Sequence, residues 1–271
     1  MNRAFLIIFF LISQLATAWG QNINWSPAKK IKCRELTLLT IDARDQLVCA
    51  DTEGNLFQLQ SNGDTINHYS PPTQASLQQL EISRSIQVFT FSEDLQRIEI
   101  LDRFLQPLFS GRLDHSDIGW IKTACLGNNN VIWIFDAADL SLKQFNYQRK
   151  TILQNQPLAL ITQNPQWPVL GLIEHKNMLF LQVENKGIFL FDNQANYLDF
   201  IPLETNQKVS FYEDQIFYIS EGKIISINIQ SREKSSYSLP ARDFEKIRIG
   251  AKKMAIFSQT EIQVYDFPFF H

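Results

Sequence analysis

The chain has 271 residues, of which 45% are hydrophobic, and a formal net charge of -3 at pH 7. A charge this small, with no basic run longer than Lys29-Lys30, excludes the class of nucleic-acid-binding proteins. The length accommodates two domains or one large all-β domain.

Residues 1–20 have the pattern of a secretory signal peptide. A positive start at Arg3 precedes an apolar stretch over 4–15, and small residues follow at Ala16, Ala18 and Gly20. The alternative is a membrane anchor, but about 12 apolar residues are too few for a span that needs about 20. No cysteine lies at the cleavage zone, which argues against a lipid anchor. The sequence therefore predicts cleaved export to the periplasm or the outer membrane, with no transmembrane segment.

After this segment the chain repeats one short pattern six times. In each copy a turn leads into a short strand-like run, and the copies cover 55–59, 96–100, 140–144, 186–190, 222–226 and 260–264. Their starts lie roughly 36 to 46 residues apart, which is the spacing of four-stranded propeller blades. The sequence predicts a single all-β domain over 21–271, a six-bladed β-propeller of four-stranded blades.

Each predicted blade contains four short runs of β-branched, aromatic and other apolar residues, separated by turn signals. The blades cover 36–69, 78–113, 118–155, 169–203, 209–239 and 244–265. The second strand is nearly all apolar, as in 178–181, which fits burial on both faces. The third strand alternates more, as in 261–265, and is predicted to lie nearer the rim.

The sixth predicted blade has only three strands before the chain ends. Residues 22–32 precede the first blade, and Ile23 and Trp25 alternate with polar residues there. We expect this segment to supply the missing fourth strand, the alternative being a lead without structure. Pairing both ends of the chain in one blade closes the ring and removes an open sheet edge.

The three cysteines, Cys33, Cys49 and Cys125, are an odd set for an exported chain. Cys49 and Cys125 lie in apolar strands, where a thiol behaves as a small hydrophobic group. The pattern favours three unpaired thiols. If a bridge forms, Cys33 with Cys49 is the most plausible pair.

Residues of the types that perform catalysis are scattered along the chain. The four histidines, His68, His115, His175 and His271, lack the spacing of a zinc site. The sequence contains neither a G-x-S-x-G motif nor a phosphate-binding glycine loop, and His115 with Cys125 comes nearest to a thiol–imidazole pair. Asp136, Glu184 and Asn128 are types that could hold a calcium ion in the channel. The sequence predicts no catalytic residue, no cofactor and no metal site.

Acidic residues recur in the loops between the second and third strands, which share one face of a propeller with the interblade loops. Five of these six loops carry carboxylates, at Asp51, Glu53, Glu93, Asp94, Asp136, Asp139, Glu184 and Glu221. The opposite turns hold most of the nearby cations, at Arg44, Arg84, Arg103, Arg149, Lys150, Lys176 and Lys252. This pattern favours an acidic interaction face for a partner. The alternative is that Asp, Glu and Ser simply populate turns.

The blade pattern resembles that of a known class of propellers. Ile41-Asp42, Gln46-Leu47-Val48 and Gly54-Asn55-Leu56-Phe57, repeated in Lys186-Gly187-Ile188-Phe189-Leu190-Phe191-Asp192, are similar to six-bladed propellers of the NHL and quinoprotein-like type. Over about residues 22–267 the chain resembles small exported propeller proteins of Bacteroidetes-type bacteria. No Trp-Asp dipeptide closes the blades and no tryptophan docking repeat is present. The resemblance therefore implies the fold and transfers no site.

We interpret the sequence as a non-catalytic exported scaffold, monomeric alone, that binds another protein of the cell envelope. Rigid propellers present variable loops, where binding residues concentrate. One alternative is a metal-dependent lactonase-like or lyase-like enzyme, which needs inward carboxylates in the channel. The other is a carbohydrate-binding module, which needs exposed aromatic platforms. Trp120, Trp133 and Trp167 lie in strand-like runs and are expected to be buried.

Overall fold

The computed structural model describes residues 25, 26, 29–82, 87–113, 115–158, 161 and 167–267. The predicted signal peptide lies outside these residues. The described residues form 24 strands in six four-stranded antiparallel sheets, with no helix among them. This part of the chain accordingly has no helix with the length and apolar character of a membrane span. The six sheets are the blades of a β-propeller, as predicted.

Strand β1 (Lys29–Lys32) comes first in the chain and belongs to the last blade. Blade I contains β2 (Leu38–Ile41), β3 (Leu47–Ala50), β4 (Leu56–Leu59) and β5 (Thr65–Tyr69). Blade II contains β6 (Gln79–Ile82), β7 (Val88–Ser92), β8 (Arg97–Leu101) and β9 (Pro107–Arg112). Blade III contains β10 (Ile121–Leu126), β11 (Val131–Asp136), β12 (Ser141–Asn146) and β13 (Thr151–Pro157).

Blade IV contains β14 (Val169–His175), β15 (Met178–Val183), β16 (Gly187–Phe191) and β17 (Tyr197–Pro202). Blade V contains β18 (Ser210–Tyr212), β19 (Gln215–Ser220), β20 (Lys223–Asn228) and β21 (Lys234–Ser238). Blade VI contains β22 (Lys246–Ile249), β23 (Lys253–Phe257) and β24 (Glu261–Asp266), and β1 completes it. Its strand order is β1-β24-β23-β22.

The N-terminal strand closes the ring, as the missing fourth strand predicts. Lys29 pairs with Val264 and Lys32 with Glu261 in antiparallel register. Ile31, the one buried residue of β1, packs into the core between blades VI and I. Just before β1, the Trp25 ring nitrogen donates to the Ser238 carbonyl at 3.0 Å. Residues 22–24, also predicted for this strand, lie outside the described part of the chain.

Six hydrophobic clusters fill the six spaces between neighbouring blades. Each cluster takes apolar side chains from two adjacent sheets, because alternate residues of a strand point to opposite faces. The largest combines Trp133 and Phe135 of blade III with Leu181 and Phe191 of blade IV. The core is therefore distributed around the ring, and the central channel is left to other side chains.

Burial within a blade follows the order of its strands. The second strands are buried as expected, β3, β7 and β11 completely. The third strands lie nearer the rim than the second strands, as predicted, and are also mostly buried, as in β8 and β16. The rim is the fourth strand, since β9, β13 and β17 are largely exposed. A third strand has a paired neighbour on each side, and only the fourth has a free outer edge.

Blade III begins later than predicted, and one tryptophan is placed differently as a result. Strand β10 starts at Ile121, because the N–H groups of Gly119 and Trp120 donate to the Asp136 carboxylate at 2.7 and 3.0 Å. The Trp120 side chain is 45% exposed, which corrects the expectation that it is buried. Trp133 and Trp167 are buried as predicted. All three cysteines are unpaired.

Candidate functional site

The first strands of the blades surround a central channel, and their inner edges have no neighbouring strand. Backbone groups on such an edge need other partners. Gln79 of β6 donates its side-chain amide across the channel to the Leu172 carbonyl of β14 at 3.1 Å. Lys208, two residues before β18, reaches the opposite blade and donates to the Gln78 carbonyl and to Gln79 Oε1, the second at 2.8 Å.

Arg248 of β22 completes this crosslinked layer. Its Nε donates to the Leu39 carbonyl of β2 at 3.0 Å, and its Nη1 donates to the Lys208 carbonyl at 3.1 Å and the Ile247 carbonyl at 2.7 Å. Lys246, two residues earlier on the same strand, donates to the Thr37 carbonyl at 3.4 Å. Five blades, I, II, IV, V and VI, are thus joined through cationic and amide side chains inside the channel.

Beyond this layer the channel widens into a cavity of about 580 Å³. Its open end is formed by the turns between first and second strands, including 127–130 and 176–177. Leu126, Leu172, Ile173 and Phe180 contribute apolar wall, and Lys208 and Arg248 also line it. The channel is therefore a cup with a cationic floor, open at the end opposite the predicted acidic loops.

Two carboxyl groups lie on the cavity wall in different environments. Glu81 of β6 accepts the Leu126 N–H at 2.5 Å, and burial raises the pKa of its carboxyl to about 8 despite this bond and the nearby Lys208. Glu174 of β14 accepts the ring N–H of Trp133 at 3.0 Å and the amide of Asn128 at 2.6 Å. The Glu81 carboxyl is thus largely protonated near neutral pH, and Glu174 is held by hydrogen bonds.

This cluster is not predicted from the sequence. Its members come from blades II, IV, V and VI, and Lys208 and Gln79 are separated by 129 residues. The signal that could have revealed it is a charged or amide residue in or beside the first strand of several blades. An apolar interblade core disfavours such residues, and Gln79, Lys208 and Arg248 line the channel instead.

The metal-site candidates are not brought together. Asn128 lies at the channel mouth, Asp136 is buried in blade III, and Glu184 lies at the other end of blade IV. No group of three or more His, Cys, Asp or Glu side chains suited to a metal occurs among the described residues. His175 lines the cavity and His68 packs against Phe57, while His271 lies outside the described part of the chain.

Several carboxylates of the predicted acidic face have internal partners. Asp51 accepts the N–H groups of Glu53 and Asn55, each at 2.9 Å, which shapes its own turn. Glu93 forms an ion pair with Lys122 at 2.9 Å. The remaining loop carboxylates are more accessible, with Glu53, Asp94 and Glu221 exposed and Glu184 half-buried.

Asp136 and Asp139 serve the fold of blade III. Asp136 is fully buried and bonds the Lys143 ammonium at 2.6 Å, and Asp139 bonds the same ammonium at 2.7 Å. Asp136 therefore presents no carboxylate to a partner. The opposite end also carries acidic residues, since Lys176 pairs with Glu213 and Asp214 there. The charge difference between the two ends is smaller than the sequence suggests. Arg84 lies outside the described residues.

A second feature, on the rim, repeats from blade to blade. In blades I–IV the register between third and fourth strand shifts by one residue, which leaves a bulged residue on the fourth strand. In every case the bulged residue is aliphatic and exposed: Ile66 at 36%, Leu108 at 58%, Leu153 at 50% and Leu198 at 50%. We call these four residues the bulge row. Phe104 and Tyr197, 50% and 45% exposed, lie close to it in sequence.

Blades V and VI differ at the same place. Their fourth strands, β21 and β1, pair without a register shift. These strands are rich in lysine and serine, and Lys29, Lys30, Lys32 and Lys234 are exposed. Lysine on an outer strand is a usual protection against edge-to-edge association. The bulge row is therefore a property of four adjacent blades and not of the fold as a whole.

Comparison with known proteins identifies structures of similar fold but no family. No protein-family model and no curated protein matches the chain. A streptogramin B lyase structure has 15% identity over 91% of this chain and 85% of its own, with a TM-score of 0.58. A virginiamycin B lyase from Staphylococcus aureus has 10% identity over 86% and 80%, with a TM-score of 0.58. The WD40 domain of Neurospora crassa Pan2 has 10% identity over 89% of each chain, with a TM-score of 0.60. Identities this low establish a propeller fold alone.

Proposed function

We propose that this protein is an exported, non-catalytic scaffold that holds another protein of the cell envelope against the rim of blades I–IV. The observation that carries the proposal is the bulge row, an exposed aliphatic residue at the same position of four adjacent blades. Scattered single apolar residues need no explanation on a protein surface. Their recurrence at the same position of four adjacent blades is what supports an interaction site here.

Edge protection does not account for the bulge row. A bulge alone twists an outer strand away from pairing, and any polar residue could occupy it. Four large aliphatic side chains at these places leave apolar surface in water, which a partner would remove. Full burial of an exposed aliphatic side chain contributes about 1.5–3 kcal/mol, and these side chains, about half exposed, can each contribute roughly half of that. Three or four of them together can anchor a complex.

Along the rim, side-chain contacts join blade II to III, III to IV and IV to V. Phe109 of blade II packs against Tyr147 of blade III with ring centroids 5.1 Å apart. Gln154 of β13 donates to the Gln194 carbonyl of blade IV, and Arg232 of blade V pairs with Asp199 of β17. Because these contacts fix the blades at their outer ends, the bulged side chains are presented by a preorganised surface.

The proposal is tested by capture of proteins from the native envelope on tagged protein, read by mass spectrometry. The rim variant carries Leu108→Ser, Leu153→Ser and Leu198→Ser. We expect the rim variant to capture at least about tenfold less partner than wild type, since a loss of 1.4 kcal/mol in binding free energy is tenfold in affinity. Melting temperatures check folding, because exposed substitutions usually change stability by no more than about 0.5 kcal/mol each.

Two matched variants complete the design. The rim control carries Lys29→Ser, Lys32→Ser and Lys234→Ser in blades V and VI and should retain the partner. The acidic-loop variant carries Glu53→Gln, Asp94→Asn and Glu221→Gln and tests the face predicted from the sequence. Equal capture by wild type and rim variant would contradict docking on the bulge row. Loss only in the acidic-loop variant would place the partner on the acidic loops instead.

A further inference from the structure

We propose that the cup in the central channel is a binding site for a small organic carboxylate, whose carboxylate group is held by Lys208 and Arg248. This inference is independent of the docking surface on the rim. It assigns a ligand class to a cavity of about 580 Å³ that structural hydrogen bonds leave open at one end. Cavities of this size are typical of small-molecule sites.

The two cations on the floor of the cup have no counter-ion within ion-pair distance among the described residues. Lys208 Nζ donates to the Gln78 carbonyl and to the Gln79 amide oxygen, which are neutral acceptors. Arg248 donates to three backbone carbonyls. Charges removed from bulk water are normally paired.

Another lysine of the same chain shows what a paired cation looks like in this fold. Lys143 is 1% exposed and contacts Asp136 and Asp139 at 2.6 and 2.7 Å. The described part of the channel contains no equivalent carboxylate pair for Lys208. The acidic neighbour that acts on it is Glu81, whose carboxyl is largely neutral near pH 7 because burial raises its pKa to about 8. Glu81 therefore does not supply a full negative charge to the floor of the cup.

Like charges also converge there. Burial lowers the pKa of the Lys208 ammonium to about 7, and the neighbouring Arg248 and Lys246 lower it further than Glu81 raises it. Burial likewise lowers the pKa of Arg248 to about 10. An anion on the floor would reverse this unfavourable arrangement, because an opposite charge nearby stabilises the protonated lysine.

The geometry of the cup selects the kind of anion. Arg248 Nη2 has no hydrogen-bond partner among the described residues and belongs to a side chain that lines the cavity. A guanidinium edge and an ammonium beside it match the two oxygens of a carboxylate. Leu126, Leu172 and Ile173 also line the cavity beside polar groups, and its volume of about 580 Å³ accommodates an organic body larger than an inorganic ion.

Charged groups from three strands surround the floor and set its response to pH. Glu81 comes from β6, Glu174 and His175 from β14, and Lys246 and Arg248 from β22. Glu174 is held by hydrogen bonds at the wall, and His175 bonds the Glu213 carbonyl at 2.6 Å. Protonation of Lys208 and of Glu81 both favour an anion. Affinity for a carboxylate is therefore expected to rise as the pH falls from 8 to 6.

The test is a titration of the folded wild-type protein with hexanoate, benzoate, phosphate and chloride, followed by calorimetry at pH 6 and pH 8. We expect saturable binding of hexanoate or benzoate that is several-fold to about tenfold tighter at pH 6, because only the protonated fraction of Lys208 is competent. Phosphate and chloride should bind at least about tenfold more weakly, since they lack an apolar body. Phosphate binding equal to hexanoate would overturn the assignment of an organic acid.

Substitutions test whether the carboxylate binds at Lys208. Lys208→Met removes the ammonium and should weaken hexanoate binding at least about tenfold. Lys208→Arg keeps a cation there and should retain most of the wild-type affinity. Lys176→Gln is the matched control, because Lys176 also lines the cavity but pairs with Glu213 and Asp214. It should stay within about twofold of wild type. Absence of saturable carboxylate binding to wild type at both pH values would overturn the proposal, as would unchanged affinity in Lys208→Met.

Discussion

Replacing Asp136 with alanine is expected to lower the free energy of unfolding by about 3–5 kcal/mol, the range for breaking a buried ion pair by removing one partner. The Asp136 carboxylate is fully buried and accepts four hydrogen bonds, from the backbone N–H groups of Gly119, Trp120 and Ala138 and from Lys143. The substitution leaves all four donors without this acceptor. Unpaired buried donors carry their full desolvation cost.

Asp139→Ala is the matched control for this prediction. Asp139 contacts the same Lys143 ammonium at 2.7 Å, but its side chain is 47% exposed and water can replace it. Its loss should cost about 1 kcal/mol or less. Urea denaturation of both variants and wild type measures the difference. A cost for Asp136→Ala below that for Asp139→Ala would show that Asp136 does not organise blade III.

Deleting residues 22–32 is expected to cause aggregation or to lower the melting temperature by roughly 10 °C. The deletion removes β1 and with it the buried Ile31 side chain, whose loss alone costs about 2–5 kcal/mol. For a domain of this size 1 kcal/mol corresponds to about 2–4 °C. It also exposes the edge of β24, where Ile262, Val264 and Tyr265 are buried.

A shorter truncation separates ring closure from a general effect of removing N-terminal residues. A protein that begins at Trp25 keeps β1, the bond from Trp25 to Ser238 and the contact of Ser26 with the Asp266 N–H at 3.0 Å. Its melting temperature should equal that of the chain that begins at residue 21. An unchanged melting temperature and monomeric elution of the protein lacking 22–32 would defeat the proposed role of β1 in closure.

The blades could be predicted from the sequence because the information is local. Short apolar runs bounded by turns such as Asn62-Gly63 specify strands and hairpins, and their sixfold recurrence specifies the ring. The need to cover β24 then predicts the closing strand. The alternation in β24 correctly predicts a position nearer the rim than β23, but it does not show that pairing with both β23 and β1 keeps most of the strand buried.

The candidate sites could not be predicted because each depends on register or on distant contacts. Leu153 looks like a core residue in sequence, and only the shift between Gln144 and Phe145 places it on the surface. Lys208 looks like a loop cation until the ring brings it to Gln79. Asp136 looks like an exposed turn residue until Lys143 and the N–H of Gly119 converge on it.

The docking proposal is tested most directly by a photo-crosslinking amino acid placed at Leu153 and, separately, at Lys234 on the equivalent strand of blade V. Both positions are exposed on fourth strands, so the two proteins differ in whether the site belongs to the bulge row. On irradiation in the native envelope we predict a discrete adduct with one protein from position 153 and none from position 234. No adduct at position 153, or the same adducts from both positions, would contradict a partner bound along the rim of blades I–IV.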